Sequence, residues 1–156
     1  MKKVIKAIVA GATLAFVLAS CASLNGNPDV QSLASGTHSG VKDQQYHDIH
    51  NVKDFQTWWN KAYSTYSEVP ALPTVDFSKK MVVAAFMGEK NHGGFTIRVD
   101  SIKQTPDSYD VNIKISIPGQ GCRVTQDTVE PFEFVAVPNN NGAFINWNVE
   151  QHTKVC

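Results

Sequence analysis

The sequence has little of what most catalytic and metal sites are built from. It holds five histidines and three cysteines among 156 residues, and its aspartates are scattered. No Gly-x-Ser-x-Gly nucleophile motif, no glycine-rich phosphate loop and no cysteine–histidine nucleophile pairing is present. These absences argue against an enzyme, so we expect a non-catalytic protein that needs no cofactor and no metal ion.

An excess of positive charge is also missing. The full chain has 14 basic and 14 acidic side chains. Three of the basic ones, Lys2, Lys3 and Lys6, lie in an N-terminal segment that we expect to be removed, which leaves 11 against 14 and a net charge of −3. No basic stripe remains, which argues against nucleic acid and against an anionic lipid surface as partners. No feature of the sequence indicates a small-molecule ligand.

The N-terminal apolar run is short. Residues 8–17 are apolar with two interruptions, which is too few residues to span a bilayer. The run follows three lysines and precedes the string Leu18-Ala19-Ser20-Cys21. This order of basic, apolar and small residues is typical of a secretory signal peptide, which we place at residues 1–20.

The cysteine in that string resembles the lipidation site of bacterial lipoproteins. The resemblance implies that Cys21 becomes the first mature residue and carries acyl chains that anchor the protein in a membrane. The alternative is an ordinary signal peptide with a chance cysteine. Ala22 follows rather than aspartate, and in lipoprotein sorting this implies delivery to the outer membrane, with the domain facing the periplasm or the cell surface.

Two further cysteines remain as an even pair in a chain that we expect to be exported. Cys122 and Cys156 are predicted to form a disulfide that fixes the C-terminal residue to a loop. A reactive thiol or a metal ligand is the alternative. An even number of cysteines in a chain that we expect to be exported favours the disulfide over both alternatives.

A change of composition divides the mature chain. Residues 22–43 are rich in Ser, Gly, Asn and Asp and lack periodicity. Residues 21–43 are therefore predicted to be a lipidated flexible tether. Residues 44–156 show one composition and no internal repeat, and they are long enough to bury a core as a single globular domain.

One amphipathic helix is predicted to begin after Asn51, which is a suitable N-cap. Apolar residues follow at spacings of three and four over about four turns. They include Trp58 and Trp59, which we expect in the core. Pro70 and Pro73 then end the helical pattern.

The rest of the domain is dominated by strand patterns. These patterns cover residues 44–49, 81–87, 95–99, 109–117, 132–137 and 143–149. The second is a nearly continuous apolar run, as expected for a strand buried on both faces. The third and fourth alternate apolar and polar residues around a turn and predict a hairpin. The predicted fold class is α+β, mainly β: about six mostly antiparallel strands in a curled sheet or partial barrel, covered by one helix.

Two histidines have the spacing His-x-x-His. In the predicted strand, His47 and His50 would face opposite sides, and no third ligand lies nearby. We therefore interpret them as surface histidines rather than as a metal site. Glu89 and His92 share a loop, but no nucleophile is placed beside them for general-base catalysis.

The glycine-rich loop after the apolar run is the better candidate for a functional site. Such a loop could contact a partner, together with the segment that opens the strand at residues 132–137. The alternative is that its glycines only provide a turn. The candidate partner-binding residues are Gly88, Glu89, Lys90, Gly93, Gly94, Phe95, Pro131 and Phe132.

The same region carries a family pattern. It consists of Asp76-Phe77-Ser78, the apolar run, Gly88-Glu89-Lys90, Gly93-Gly94-Phe95-Thr96-Ile97 and Glu130-Pro131-Phe132. Over residues 72–138 this pattern resembles the PrcB C-terminal domain family. Phe95 stands where that family usually has tyrosine, so a role that needs a phenolic hydroxyl is not carried over. The resemblance implies an accessory or stabilising subunit of a secreted or surface protease.

Three functions are compatible with these observations. The first is a non-catalytic outer-membrane lipoprotein that binds and stabilises an exported or surface protein, a protease being the candidate, through its loops or through an edge strand. The second is a proteinase inhibitor that presents its loops to an active-site cleft. The third is a structural lipoprotein of the envelope. If Phe95 and Phe132 are buried, the loop contact is weakened and the edge-strand contact is favoured.

Overall fold

The computed structural model describes residues 29–156; the predicted signal peptide, the lipidation site Cys21 and the first part of the predicted tether lie outside the described residues. The described chain contains seven strands and one helix. In chain order they are β1 (Gln31–Gly36), β2 (Gln45–Ile49), α1 (Val52–Ala62), β3 (Lys80–Phe86), β4 (Thr96–Gln104), β5 (Ser108–Pro118), β6 (Phe132–Pro138) and β7 (Phe144–Lys154). Within residues 29–156, no helix has the length and apolar character needed to cross a bilayer.

The strands form two sheets, which we call sheet I and sheet II. Sheet I has the order β1-β6-β3-β2, and all its pairs are antiparallel. Sheet II has the order β4-β5-β7, in which β4 and β5 form the predicted hairpin and β5 and β7 run parallel. The predicted fold class, α+β and mainly β, is confirmed. The two sheets do not close into a barrel.

Two details differ from the sequence prediction. The strands form two sheets rather than one curled sheet, because β7 leaves the end of β6 and pairs with β5. Residues 21–43 are predicted to be a flexible tether. The structure differs near the centre of this segment, because Gln31–Gly36 form β1, which pairs with β6. This strand lies at a sheet edge and none of its side chains is fully buried, so its sequence carries no apolar alternation that would reveal it.

β3 is buried on both faces, as its apolar sequence predicts. Residues 81–86 are all 0 % exposed. Its odd-numbered residues pack with sheet II, where they meet Val111 and Ile113, and its even-numbered residues pack under α1 against Phe55 and Trp59. Sheet I is therefore the middle layer of three, between α1 and sheet II.

The helix begins where the sequence predicts. Asn51 accepts the backbone N–H of Asp54 at 2.9 Å and so caps the first turn. Trp59 is 2 % exposed in the core beneath the helix. Trp58 is only half-buried and stacks on His47 of β2, with the ring centroids 3.7 Å apart.

Two buried polar contacts hold sheet II against sheet I. Glu133 of β6 is 2 % exposed, and its carboxylate accepts the backbone N–H of Val99 in β4 at 2.7 Å. Burial raises the pKa of Glu133. Tyr109 of β5 donates its hydroxyl hydrogen to the Pro138 carbonyl at 2.7 Å, and burial raises the pKa of Tyr109 to about 12. Each contact joins a strand of one sheet to a strand of the other.

Replacing Glu133 by leucine should destabilise the domain more than replacing it by glutamine. Leucine leaves the buried Val99 N–H without an acceptor, which costs about 1–3 kcal/mol, whereas the glutamine oxygen still accepts it. Urea unfolding of both variants measures the difference in the free energy of unfolding. Equal stabilities would show that the hydrogen bond from Val99 does not stabilise the contact between the sheets.

Candidate functional site

The glycine-rich loop at residues 87–95 follows β3, and its backbone requires glycine at two positions. Gly88 has a φ of +73°, and a Cβ there would lie 2.8 Å from the Lys42 carbonyl oxygen. Gly94 has a φ of +92°, and a Cβ there would lie 2.9 Å from Val124 Cγ1. Residues with a side chain rarely adopt such φ values. These glycines therefore have a structural role, and a role in partner binding stays a prediction.

A second segment, residues 118–128, packs against this loop, and we call it the brace. Gly93 donates its backbone N–H to the Thr125 carbonyl at 2.9 Å. A Cβ on Gly94 would lie 3.1 Å from the Pro118 side chain. The glycine-rich loop and the brace, which are far apart in the sequence, therefore lie on one surface of the domain.

A disulfide and a hydrogen bond fasten the brace to the C-terminal end of the chain. Cys122 and Cys156 are bonded, as the sequence predicts, with their Cα atoms 5.2 Å apart. Gly119 donates its backbone N–H to the Lys154 carbonyl at 3.1 Å. The end of β7, the brace and the glycine-rich loop are thus connected at one end of the domain.

Glu89 and Lys90 make contacts within the domain. Lys42 donates hydrogen bonds to Glu89 and, at 2.8 Å, to the buried Glu130. These bonds, the one to Glu130 above all, raise the pKa of Lys42. Lys90 Nζ donates to the Met87 carbonyl at 3.1 Å. Both predicted residues therefore have internal partners, and sequence patterns alone do not identify Lys42 because it lies in the predicted tether.

Pro131 and Phe132 are buried. The Pro131 carbonyl accepts the backbone N–H of Met87 at 2.9 Å. Phe132 is 1 % exposed, and its ring packs edge-on against Tyr63 with the centroids 5.5 Å apart and lies 6.3 Å from the ring of Phe86. The predicted partner-contacting role of Phe132 is therefore corrected to that of a core residue, because almost none of its surface is accessible.

Phe95 lines a groove between the end of β1 and the start of β4, with a volume of about 140 Å³. We call it the Phe95 groove. Its lining residues are Ser35, Gly36, Thr37, Phe95, Thr96, Ile97, Arg98, Pro131 and Phe132. Phe95 is half-buried, and its ring lies 4.9 Å from that of His92. The structure thus brings three of the eight predicted residues together, with Phe95 as their accessible member.

Arg98 and Thr96 are exposed residues of the groove that do not belong to the eight predicted partner-binding residues. The Arg98 side chain is 64 % exposed, and its Nη1 lies 3.5 Å from the buried Glu133 carboxylate. Thr96 is exposed on the same side of β4. The alternation of residues 95–99 places both on the outer face of this strand, so that pattern could have identified them. Thr37 lies in the predicted tether, where no sequence signal marks it.

His47 and His50 do not converge on one point. His47 stacks on Trp58 as described, and burial lowers the pKa of His47. His50 contacts the Asp48 carboxylate at 3.0 Å. Among residues 29–156, no group of three or more His, Cys, Asp or Glu side chains is placed to hold a metal ion.

These features define a mainly β module of two sheets and one helix, with a braced loop surface at one end. Residues 81–138 match the model of a protein family described as PrcB C-terminal, which confirms the resemblance. The matched part runs from β3 to the end of β6 and contains all eight candidate partner-binding residues. No curated protein and no solved structure matches the chain significantly.

Replacing Gly94 by alanine should destabilise the domain more than replacing Gly121 by alanine. Both positions have positive φ, but a Cβ on Gly121 meets no atom within 4 Å. Gly121→Ala should therefore cost only backbone strain, about 1–2 kcal/mol, and Gly94→Ala should cost about 1 kcal/mol or more beyond that, because Val124 and Pro118 must move. Urea unfolding of the two variants measures their free energies of unfolding. Equal losses of stability would show that Val124 and Pro118 move aside without an energetic penalty.

Removing the disulfide should lower the stability of the domain. The bond closes a loop between residues 34 apart in the sequence, and in the chain-entropy model such a loop contributes about 3–4 kcal/mol. The variant Cys122→Ser with Cys156→Ser should lose this amount in urea unfolding, and reductant should lower the wild-type midpoint equally. A wild type insensitive to reductant would contradict a stabilising role of the disulfide.

Proposed function

We propose that this protein is a non-catalytic accessory module that binds another exported protein. The match of residues 81–138 to the PrcB C-terminal family supports a protease as the candidate partner. The observation that carries the proposal is the Phe95 groove, where an accessible aromatic ring and an exposed arginine lie beside a braced loop surface. No ligand chemistry other than that of a protein surface is needed to explain this arrangement.

The groove has the composition of a protein-binding surface. Aromatic and arginine side chains contribute most of the binding energy at many interfaces. Phe95 provides the aromatic surface, Arg98 a charged donor and Thr96 a hydroxyl group, and all three belong to one short stretch of chain. Phe132 also lines the groove, but its ring packs against Tyr63 and Phe86 in the core. In our proposal Phe95 and Arg98 therefore make the contacts with the partner, and Phe132 does not.

The surface around the groove is held in place before a partner arrives. The glycine-rich loop is bonded to the brace, and the brace is fixed by Cys122 to the end of the chain. Buried Glu133 accepts the N–H of Val99, one residue beyond Arg98. A surface that is already ordered loses less conformational entropy on binding, and this favours affinity.

A lipid anchor would hold this module close to a membrane. In our proposal Cys21 carries the acyl chains and the outer membrane is the destination, with the domain in the periplasm or at the cell surface. Because β1 begins at Gln31, ten residues after Cys21, the first strand lies at most about 36 Å from the anchor. This short reach restricts the accessory role to partners at the same membrane.

A proteinase inhibitor is the second candidate function. The observation that favours it is the contact between the glycine-rich loop and the brace, since Gly93 and Thr125 are hydrogen-bonded and the two loops form one rigid surface. An inhibitor must present such a surface to an active-site cleft. The buried positions of Pro131 and Phe132 argue against it, because the segment expected to enter the cleft lies inside the fold.

The proposal is tested by capture of the partner with a variant that blocks the groove. Thr96→Arg places a long charged side chain in the Phe95 groove without altering the core, since Thr96 is exposed. The full-length tagged protein is crosslinked in its native envelope, and the proteins attached to it are quantified. We expect one abundant exported protein on the wild type and its loss, by roughly tenfold or more, from Thr96→Arg.

Gln104→Arg is the matched control, because it adds the same side chain at an exposed position at the other end of β4. It should capture the partner as the wild type does. Equal recovery from Thr96→Arg would refute the groove as the binding site, and recovery of bulk envelope proteins alone would favour a structural role. If the partner is a protease, adding the pure protein to it separates stabilisation of its activity from inhibition.

A further inference from the structure

We propose that two copies of this chain pair along the outer edge of β7, antiparallel to each other and related by a two-fold axis at Val149. β7 is an edge strand of sheet II, and within residues 29–156 no strand pairs with its outer side. Pairing would join two three-stranded sheets into one continuous sheet of six strands. The inference concerns self-association and does not depend on the partner proposed for the Phe95 groove.

The other three sheet edges in the described chain are shorter than β7, and two of them are irregular. β1 and β4 each contain a register irregularity, and β4 also gives its Val99 N–H to Glu133. β2 has only five residues. β7 has eleven residues, which pair with β5 without a register shift and include no proline. A long and regular edge of this kind is a template for another strand.

The direction of the backbone groups of β7 follows from one hydrogen bond. Gly119 donates its N–H to the Lys154 carbonyl at 3.1 Å, and Lys154 pairs with Pro118 in the β5–β7 register. Because alternate residues of a strand point their backbone groups to opposite sides, the even-numbered residues of β7 bond to β5. The odd-numbered residues from Ile145 to Thr153 therefore point their N–H and C=O groups away from the sheet.

A two-fold axis at Val149 brings these outward groups into register. Val149 then lies opposite Val149 of the second copy, and Trp147 lies opposite Gln151. All these residues are odd-numbered, so each outward N–H finds an outward carbonyl. The Val149 side chains, which are 39 % exposed in the single chain, meet at the axis. Two identical edges thus satisfy each other, as a two-fold interface requires.

The even-numbered side chains lie on the opposite face of β7 and pair in the same register. Glu150 lies directly opposite Asn148, and the two Glu150 side chains are diagonal neighbours across the axis, about 7–8 Å apart. Lys154 lies opposite Phe144, whose side chain is 74 % exposed, and the lysine stem would cover this ring. A second copy therefore fits this edge in hydrogen bonding and places no two like charges directly opposite each other. A segment of an unrelated protein would have to supply the same matches from another sequence.

The first test is a crosslink at the proposed axis. The full chain carrying Val149→Cys is purified in detergent and treated with a short bis-maleimide. Antiparallel pairing places the two copies of residue 149 about 5.5 Å apart. Val52→Cys is the matched control, because Val52 is a valine on α1 that is 62 % exposed. We expect roughly tenfold or more crosslinked dimer for Val149→Cys, because pairing raises the effective concentration of its thiols.

The second test removes an outward backbone donor. Gln151→Pro lacks one outward N–H and keeps the hydrogen bonds from β7 to β5, whereas Gln151→Ala keeps both. Sedimentation velocity on the full chain should show a dimer for the wild type and for Gln151→Ala. For Gln151→Pro the dissociation constant should rise roughly tenfold or more, because the axis repeats each lost bond.

Two results would overturn the proposal. One is a monomeric wild type at all accessible concentrations. The other is equal crosslinking of Val149→Cys and Val52→Cys. Either result would leave the edge of β7 to a strand from a different protein. If Gln151→Pro fails to fold, the crosslinking comparison still decides, since Val149→Cys and Val52→Cys both change exposed positions.

Discussion

The need to cover both faces of the central pair β3 and β6 constrains the rest of the domain. Residues 81–86 are fully buried, and most of β6 is buried with them. One face is covered by α1 through Phe55 and Trp59, and the other by sheet II through the apolar side of β5. A sheet with two apolar faces cannot lie at the surface, because each face would be exposed to water. The three-layer order of helix, sheet and sheet follows from this requirement.

Stacking the sheets places polar groups where water is excluded, and the sequence supplies partners for them. Glu133 interrupts the apolar run of β6, and its carboxylate meets the Val99 N–H at the edge of β4. Tyr109 gives sheet II a hydroxyl group that reaches the carbonyl at the end of β6. Among the described residues, no buried side-chain polar atom lacks a hydrogen-bond partner. These contacts fix where the outer edge of β4 lies, and with it the wall of the Phe95 groove.

Local patterns predict the helix, the buried strand and the hairpin, because each depends on residues close in sequence. The apolar run at residues 81–87 and the alternation at 109–117 appear in the structure as β3 and β5. Local patterns do not predict the strand at residues 31–36, and they do not predict which strand pairs with β7. Both features depend on pairing with segments that are distant in the sequence. The candidate site follows the same rule. Phe95 is predictable from its loop, whereas the burial of Phe132 depends on Tyr63 and Phe86, which no local pattern connects to it.

The position of β6 at the centre of sheet I determines when the domain can fold. β6 lies between β1 and β3, yet Ser32 of β1 and Glu133 of β6 are 101 residues apart in the sequence. β7 completes sheet II, and Cys156 closes the disulfide. When the chain is synthesised from its N-terminus, β1 and β3 are therefore present long before β6, the strand that pairs with both. Contacts between such distant segments form slowly. The architecture therefore delays folding until the last strands of the chain are available to pair.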